Sequence, residues 1–239
     1  MASTVIKNWD NKTWLSSHDY IKKFNNFLLR QNKLNSNSRI LDIGCGRGKI
    51  IGSLRSKLRL INKPIGIDLI NHRDKDKRIN FKRISAHTFF SLNKKKFDLI
   101  LIKQTIHLLQ FNKLKTLLTK MSNSLNPHGK ILILTLNPQK NEFPSFDLMK
   151  TRLLKSLKRD KKILTFISKL YPKRILKKFI YKVEITKKEY ISMISKRFIS
   201  TILSFNNKQI ATGIKQIDSK FKKKIKFSDE LVCIIIRNN

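Results

Sequence analysis

Ten residues constrain this chain more than any others. Ile40-Leu-Asp-Ile-Gly-Cys-Gly-Arg-Gly-Lys49 carries an apolar strand into three alternating glycines, Gly44, Gly46 and Gly48. Glycine is needed where a backbone turns sharply from strand to helix and a ligand comes against it. Asp42 stands just before the turn. Asp68 follows Gly48 by twenty residues and closes Pro64-Ile-Gly-Ile-Asp68, the next apolar run. A carboxylate at that place can accept both hydroxyl hydrogens of a ribose. The spacing excludes two other glycine-rich turns. A nicotinamide-binding turn reads G-x-G-x-x-G, and its third glycine position is here Lys49. A P-loop needs Ser or Thr after Gly-Lys, and Gly48-Lys49 is followed by Ile50.

Around this turn, strand and helix patterns alternate. Residues 49–60 place Ile50, Ile51, Leu54 and Leu58 on one helical face. Residues 71–78 are polar, a short helix or loop. Residues 79–84 alternate apolar and polar and predict a half-buried strand. Residues 97–102 predict a fourth strand, 106–125 a helix, Asn126-Pro-His-Gly129 a break, and 130–136 a fifth strand. Five strands with helical connections predict a parallel, doubly wound sheet. Beyond residue 137 the pattern changes. Residues 146–182 read as a basic helical stretch interrupted at Pro172, with further helices at 187–198 and 206–221. A short strand is expected at 224–227 and a last one at 231–237.

The charge is +38, from 53 Lys and Arg against 15 Asp and Glu. Such an excess points toward a polyanionic partner. It is, however, spread evenly: residues 1–138 carry 27 basic and 7 acidic side chains, and residues 139–239 carry 26 and 8. With 40 Lys, 33 Ile and 20 Asn but only 13 Arg, the composition also matches A/T-rich codons, and Arg is the better phosphate reader. Both origins stay open at this point, and non-specific polyanion binding is the interaction the charge itself allows. The two cysteines, Cys45 and Cys233, sit in strand-like surroundings and read as buried free thiols of a reducing compartment. The apolar runs are strand-sized, too short to span a bilayer, and the first residues lack a signal-peptide core, so the expectation is cytoplasmic. No metal-ligand set is expected.

The glycine turn in this setting resembles the first motif of class I S-adenosylmethionine-dependent methyltransferases, and Gly66-Ile-Asp-Leu69 resembles their second. The likeness runs from about residue 39 to 136, and more loosely to the end. It implies a Rossmann-like α/β fold with a mainly parallel, seven-stranded, doubly wound sheet and a helical lid after strand five. On that reading one methyltransferase domain covers 1–239: an N-terminal cap (1–35), a cofactor-binding core (36–138), a helical lid (139–200) and a C-terminal helix and strand (201–239). The resemblance places S-adenosylmethionine along Gly44, Cys45, Gly46 and Gly48, with Asp42 near its amino-acid end and Asp68 and Leu69 at the ribose. The family usually has an acid near the adenine after strand three. This chain has Ser85-Ala86-His87, so Ser85 or a backbone group, with Ala86 beside it, is left to serve.

After the fourth strand comes Lys103-Gln104-Thr105-Ile106-His107. It lacks the [DN]-P-P-[YF] of enzymes that methylate base or amide nitrogens, and it lacks the nucleophilic Cys of RNA cytosine-C5 enzymes. Gln-x-x-His resembles the small-molecule branch, of methyltransferase type 11 and trans-aconitate-methyltransferase kind. That resemblance places Lys103 and Gln104 near the cofactor and lets His107 face the acceptor. A neutral imidazole could there take a proton during attack; a packed or solvated histidine at a helix start is the other reading. Tyr190 to Thr201 resembles the helix that closes the acceptor pocket in trans-aconitate-type enzymes. Arg197 on it would pair with an acceptor carboxylate if it pointed inward, and would otherwise be one more exposed cation. Trp9, Trp14 and Tyr20 resemble the aromatic segment covering the cofactor, with simple capping of the sheet as the equal alternative. The acceptor expected is oxygen or nitrogen of a small, anionic metabolite. The alternative is RNA, protein or a lipid headgroup drawn in by the basic surface. Residues 150–182 hold 13 basic residues and one acid, Asp160. They read as a lid with a solvated charged face, a lipid-surface helix or a polyanion contact.

Overall fold

The computed structural model describes residues 13–237. Its seven strands are β1 (Ile40–Ile43), β2 (Ile65–Asp68), β3 (Asn80–Arg83), β4 (Phe97–Lys103), β5 (Leu125–Leu136), β6 (Ile175–Thr186) and β7 (Lys224–Arg237). They form one sheet in the order β3-β2-β1-β4-β5-β7-β6. Strands β1 to β5 are parallel, and β7 runs antiparallel between β5 and β6. The helices are α1 (His18–Gln31), α2 (Lys49–Leu58), α3 (Ala86–Leu92), α4 (Leu114–Asn123), α5 (Asp147–Leu170), α6 (Lys187–Ser195) and α7 (Asn207–Lys220).

The central strands are apolar on both faces because both are covered. Ile40, Leu99 and Leu101 face a core shared with Tyr20, Phe24 and Leu28 of α1 and with Ile51 and Leu54 of α2. Leu41, Ile100 and Ile102 face the opposite core, built with Phe89 and Phe90 of α3, Leu117 and Leu118 of α4, and Ile163 and Ile167 of α5. The chain reverses direction across the sheet between β1 and β4, whose pairing runs from Ile40↔Leu99 to Ile43↔Ile102. That reversal opens a crevice at the carboxyl ends of these two strands, the usual ligand position in such sheets.

Four stretches differ from what the sequence predicts. The stretch 146–182 is not helical throughout: α5 stops at Leu170, and Ile175–Thr186 is strand β6. The helix ends ahead of Pro172, whose ring disfavours helical backbone in the preceding residue. Beyond it Phe179, Tyr181 and Val183 are buried at alternate positions between exposed residues, a period of two. The region given to the helical lid thus contributes an edge strand. The helix expected from 106 starts only at Leu114; before it lie two 3-10 turns, Ile106–Leu108 and Phe111–Lys113. Asn126–Gly129 does not break the chain but belongs to β5, with a register shift between Phe97 and Leu99 on the partner strand and a left-handed His128. Residues 224–227 and 231–237 are one continuous strand. Among the described residues no helix is long and apolar enough to cross a membrane.

Candidate active site

The glycine turn leaves β1 with its backbone in the left-handed region, at φ +70° for Gly44, +54° for Gly46 and +70° for Gly48. Two of these glycines are required for different reasons. A Cβ on Gly44 would lie 2.3 Å from the Thr105 side chain, so this position lets the turn pack on the end of β4. Among the described residues, a Cβ on Gly46 would meet nothing within 4 Å. Its Cα faces open space, the surface a ligand would use. Gly48 precedes α2 and packs on Ile79. Buried Arg47 ties the turn down: its Nε donates to Asp74 Oδ2 at 2.7 Å, and its carbonyl accepts from Asp76 N–H at 2.9 Å.

Asp68 turns toward this loop. Its Oδ2 accepts the Gly46 N–H at 2.9 Å and its Oδ1 accepts the Ile70 N–H at 2.9 Å. Leu69 beside it is 65% exposed, an apolar plate next to an acid. Asp42 is buried behind the turn, and burial pushes its carboxyl up to about 7 against the pull of the Lys103 ammonium. A carboxyl held above its unfolded value keeps its proton in the folded state while the unfolded chain ionises. Stability therefore falls as pH rises from about 4 to about 7 and is level above that. Asp42→Asn cannot ionise, so it is expected to melt several degrees above the parent at pH 8, with the gap closing toward pH 4. Thermal melts across that range check it, and a gap that does not change with pH overturns it.

Cys45 does not serve as a nucleophile here: its Sγ donates weakly to Gly46 O at 3.6 Å, and burial holds the thiol protonated. Ser85 is the N-cap of α3, its Oγ accepting the Thr88 N–H at 3.1 Å, and Ala86 is buried behind it. At the end of β4, Lys103 Nζ lies over the rings of Tyr20 and Phe24, at 5.2 and 5.5 Å from their centres. Gln104 follows with φ +53°, unusual for a residue with a side chain, its N–H held by Leu134 O at 2.7 Å. The 3-10 turn after it buries Ile106 and leaves His107 half-buried.

Gln104 and His107 come together on the wall of a half-open cavity of about 420 Å³. Ile70, held by Asp68, also lines it, so the cavity adjoins the glycine turn. Trp14 forms another wall, its Nε1 donating to Asp229 Oδ2 at 2.9 Å and its ring packed on Phe143 and Phe227. Phe198 to Thr201 close it from beyond α6. Arg197 does not line it: left-handed at φ +53°, its guanidinium donates to Phe205 O and Asn207 Oδ1. Tyr20 is fully buried among Phe24, Phe179 and Tyr181 rather than in the cavity. Trp9 lies outside the described residues.

The cavity also holds side chains that the sequence reading passed over. Asp160 and Arg159 reach it from α5, Thr135 from β5 and Asp229 from β7. Asp160 is 3% exposed and falls on the buried stripe Leu153, Leu157, Ile163, Ile167. An acid on the apolar face of an otherwise basic helix is the signal that could have marked it. His107 feels it: burial lowers the imidazole pKa while the Asp160 charge pulls the other way.

Residues 34–197, more than half the chain, match the model of the methyltransferase domain family. The chain belongs to the class I S-adenosylmethionine-dependent methyltransferases. Solved structures show the same fold. The plantazolicin methyltransferase BpumL, solved with a pentazolic desmethylPZN analogue and S-adenosylhomocysteine, is 20% identical with a TM-score of 0.55, over 99% of this chain and 90% of that one. A putative methyltransferase of an antibiotic biosynthesis pathway from Anabaena variabilis is 14% identical with a TM-score of 0.64, over 89% and 96%. The N-methyltransferase NodS from Bradyrhizobium japonicum, solved with S-adenosylhomocysteine, is 14% identical with a TM-score of 0.52, over 99% and 97%. A comparison with curated protein sequences found no match.

This methyltransferase uses S-adenosylmethionine, which brings a methyl carbon made electrophilic by a sulfonium. The residues present fit that group. The space beside Gly46 admits a ligand, and Asp68 presents a carboxylate at its edge.

Proposed function

We propose that this methyltransferase transfers the methyl group to nitrogen or oxygen of a small molecule seated in the cavity beside the glycine turn. The observation that carries this reading is the cavity itself: a half-open cleft of about 420 Å³ with Gln104 and His107 on its wall. That volume suits a drug-sized molecule and not a polymer. Asp68 and Leu69 hold the ribose and the adenine side of the cofactor, Gly44 to Gly48 lie along it, and Asp42 and Lys103 stand at its amino-acid end. Gln104 faces the transferring methyl. His107 is neutral at neutral pH and accepts the acceptor's proton. The walls exclude water and hold the nucleophile in line, which is most of what such a transfer needs. The segment from Tyr190 to Thr201 supports the likeness to the trans-aconitate branch, because its last residues close the cavity. The anionic acceptor expected from the sequence loses its main residue, since Arg197 is engaged elsewhere.

One observation favours a second reading. A wider groove of about 780 Å³ is lined by Lys161, Lys169, Arg174, Lys177 and Lys178, a surface that would draw a polyanion. One experiment separates the two. Cell extract is incubated with the enzyme and isotopically labelled methyl donor, and the small-molecule, RNA, protein and lipid fractions are analysed by mass spectrometry. A labelled small metabolite is expected. Label confined to RNA, protein or lipid overturns the first reading.

A further inference from the structure

We propose that the cavity selects a primary or secondary amine, whose cationic head pairs with Asp160 and gives its proton to His107. This rests on the small-molecule reading above and narrows it. Asp160 is buried in the middle of an apolar stripe, where an ionised carboxylate is costly unless something pairs with it. Its Oδ2 accepts the Thr135 hydroxyl at 2.8 Å. Among the described residues its Oδ1, which is buried, finds no hydrogen-bond partner; Arg159 Nε stands 3.6 Å away, an ion pair beyond hydrogen-bond length. His107 Nδ1 is likewise buried with no hydrogen-bond partner among the described residues. Both residues line the same cavity.

The complement of this wall is a group that donates. A carboxylate oxygen only accepts, and a neutral imidazole has one accepting nitrogen. An ammonium offers two or three donors and no acceptor, and it can supply the hydrogen bond that the Arg159 pair, at 3.6 Å, is too long to give Asp160 Oδ1. A carboxylate acceptor would face Asp160 with like charge, and an alcohol has a single donor. The lining also carries Gln104, Ser156, Arg159 and Asp229, while Trp14, Phe143, Phe198, Leu136 and Ile199 give it an apolar side, so the amine sits on an apolar or aromatic body. The Trp14 indole adds attraction for a cation against its face.

The step balances. The ammonium N–H bond breaks and its proton passes to the His107 imidazole. The freed lone pair forms the nitrogen–carbon bond as the carbon–sulfur bond of the donor breaks, and that electron pair stays on sulfur. His107, half-buried, then returns the proton to solvent. The net change is one methyl in place of one proton on nitrogen.

The test is titration calorimetry of the whole protein with S-adenosylhomocysteine present, using three probes of one shape: 2-phenylethylamine, 2-phenylethanol and 3-phenylpropionate. The amine is expected to bind at least tenfold tighter than either other probe. Asp160→Asn, which keeps an acceptor for Thr135, is expected to cut that advantage below threefold. An alcohol or carboxylate bound as tightly by the parent, or an amine preference untouched in Asp160→Asn, overturns the proposal. Should the variant not fold, the ranking on the parent protein decides. The labelling experiment reads a different quantity. Absence of a labelled small molecule there removes the function proposed above, while the probe ranking tests the amine site alone.

Discussion

Asp68→Ala is expected to weaken S-adenosylmethionine binding about 100-fold. Asp68 is the acid at the edge of the glycine turn, and a carboxylate accepting two ribose hydroxyls contributes about 1.5–3 kcal/mol per charge-assisted bond. The low end for two such bonds, roughly 3 kcal/mol, is a factor on the order of 100 in Kd. The same carboxylate holds the Gly46 and Ile70 N–H groups at 2.9 Å, so its removal also loosens the backbone that meets the ligand. Calorimetric titration with S-adenosylmethionine measures the effect, with far-ultraviolet circular dichroism to show that the fold is kept. Asp68→Asn retains an acceptor and is expected to fall between parent and Asp68→Ala. Unchanged affinity in Asp68→Ala would remove Asp68 from the ribose site.

Two glycines two positions apart in the turn should respond to alanine in different ways. Gly44→Ala forces a left-handed alanine, at about 1–2 kcal/mol, and drives its Cβ to 2.3 Å from Thr105. That side chain is held by the Lys103 carbonyl at 3.1 Å, so overpacking adds about 1–3 kcal/mol. A melting point lower by roughly 6–12 °C is expected. Gly46→Ala has the same backbone strain but open space for its methyl, so it melts only a few degrees lower. Its methyl stands where the cofactor would lie, and affinity for S-adenosylmethionine is expected to drop more than tenfold. Melts and titrations on both variants read the two effects separately. A Gly46→Ala protein that binds as well as the parent would mean that the ligand does not run along this face of the turn.

The cofactor half of the molecule was legible because its constraints are local. Gly44, Gly46 and Gly48 must be glycine for backbone reasons, β1 and β2 must be apolar because they are covered on both sides, and the distance to Asp68 follows from one helix and one strand. Strand β6 was not legible as a strand. Its outward positions carry lysines that continue the charge pattern of α5, so composition masked the change from a period near four to a period of two at Phe179, Tyr181 and Val183. The cavity is built by long-range contacts that no spacing announces. Trp14 meets Asp229 across 215 residues of chain, and Thr135 meets Asp160 from a different layer. Arg197 illustrates the same limit in reverse: its position beside the closing segment was foreseeable, but the left-handed backbone that turns its guanidinium to Phe205 and Asn207 was not.

Strand β6 ends the sheet opposite β3, and only β7 is bonded to it. Its exposed face sets Leu176 and Ile180, each at least half accessible, between Lys178 and Lys182. An uncovered outer strand with apolar side chains is a template on which another chain can extend the sheet. Lys178, ion-paired with Glu230 at 3.0 Å, and Lys182 alternate with those apolar residues. Lysine along an exposed outer strand is a usual guard against such extension, a duty that asks only for charge along one border and nothing of the acceptor.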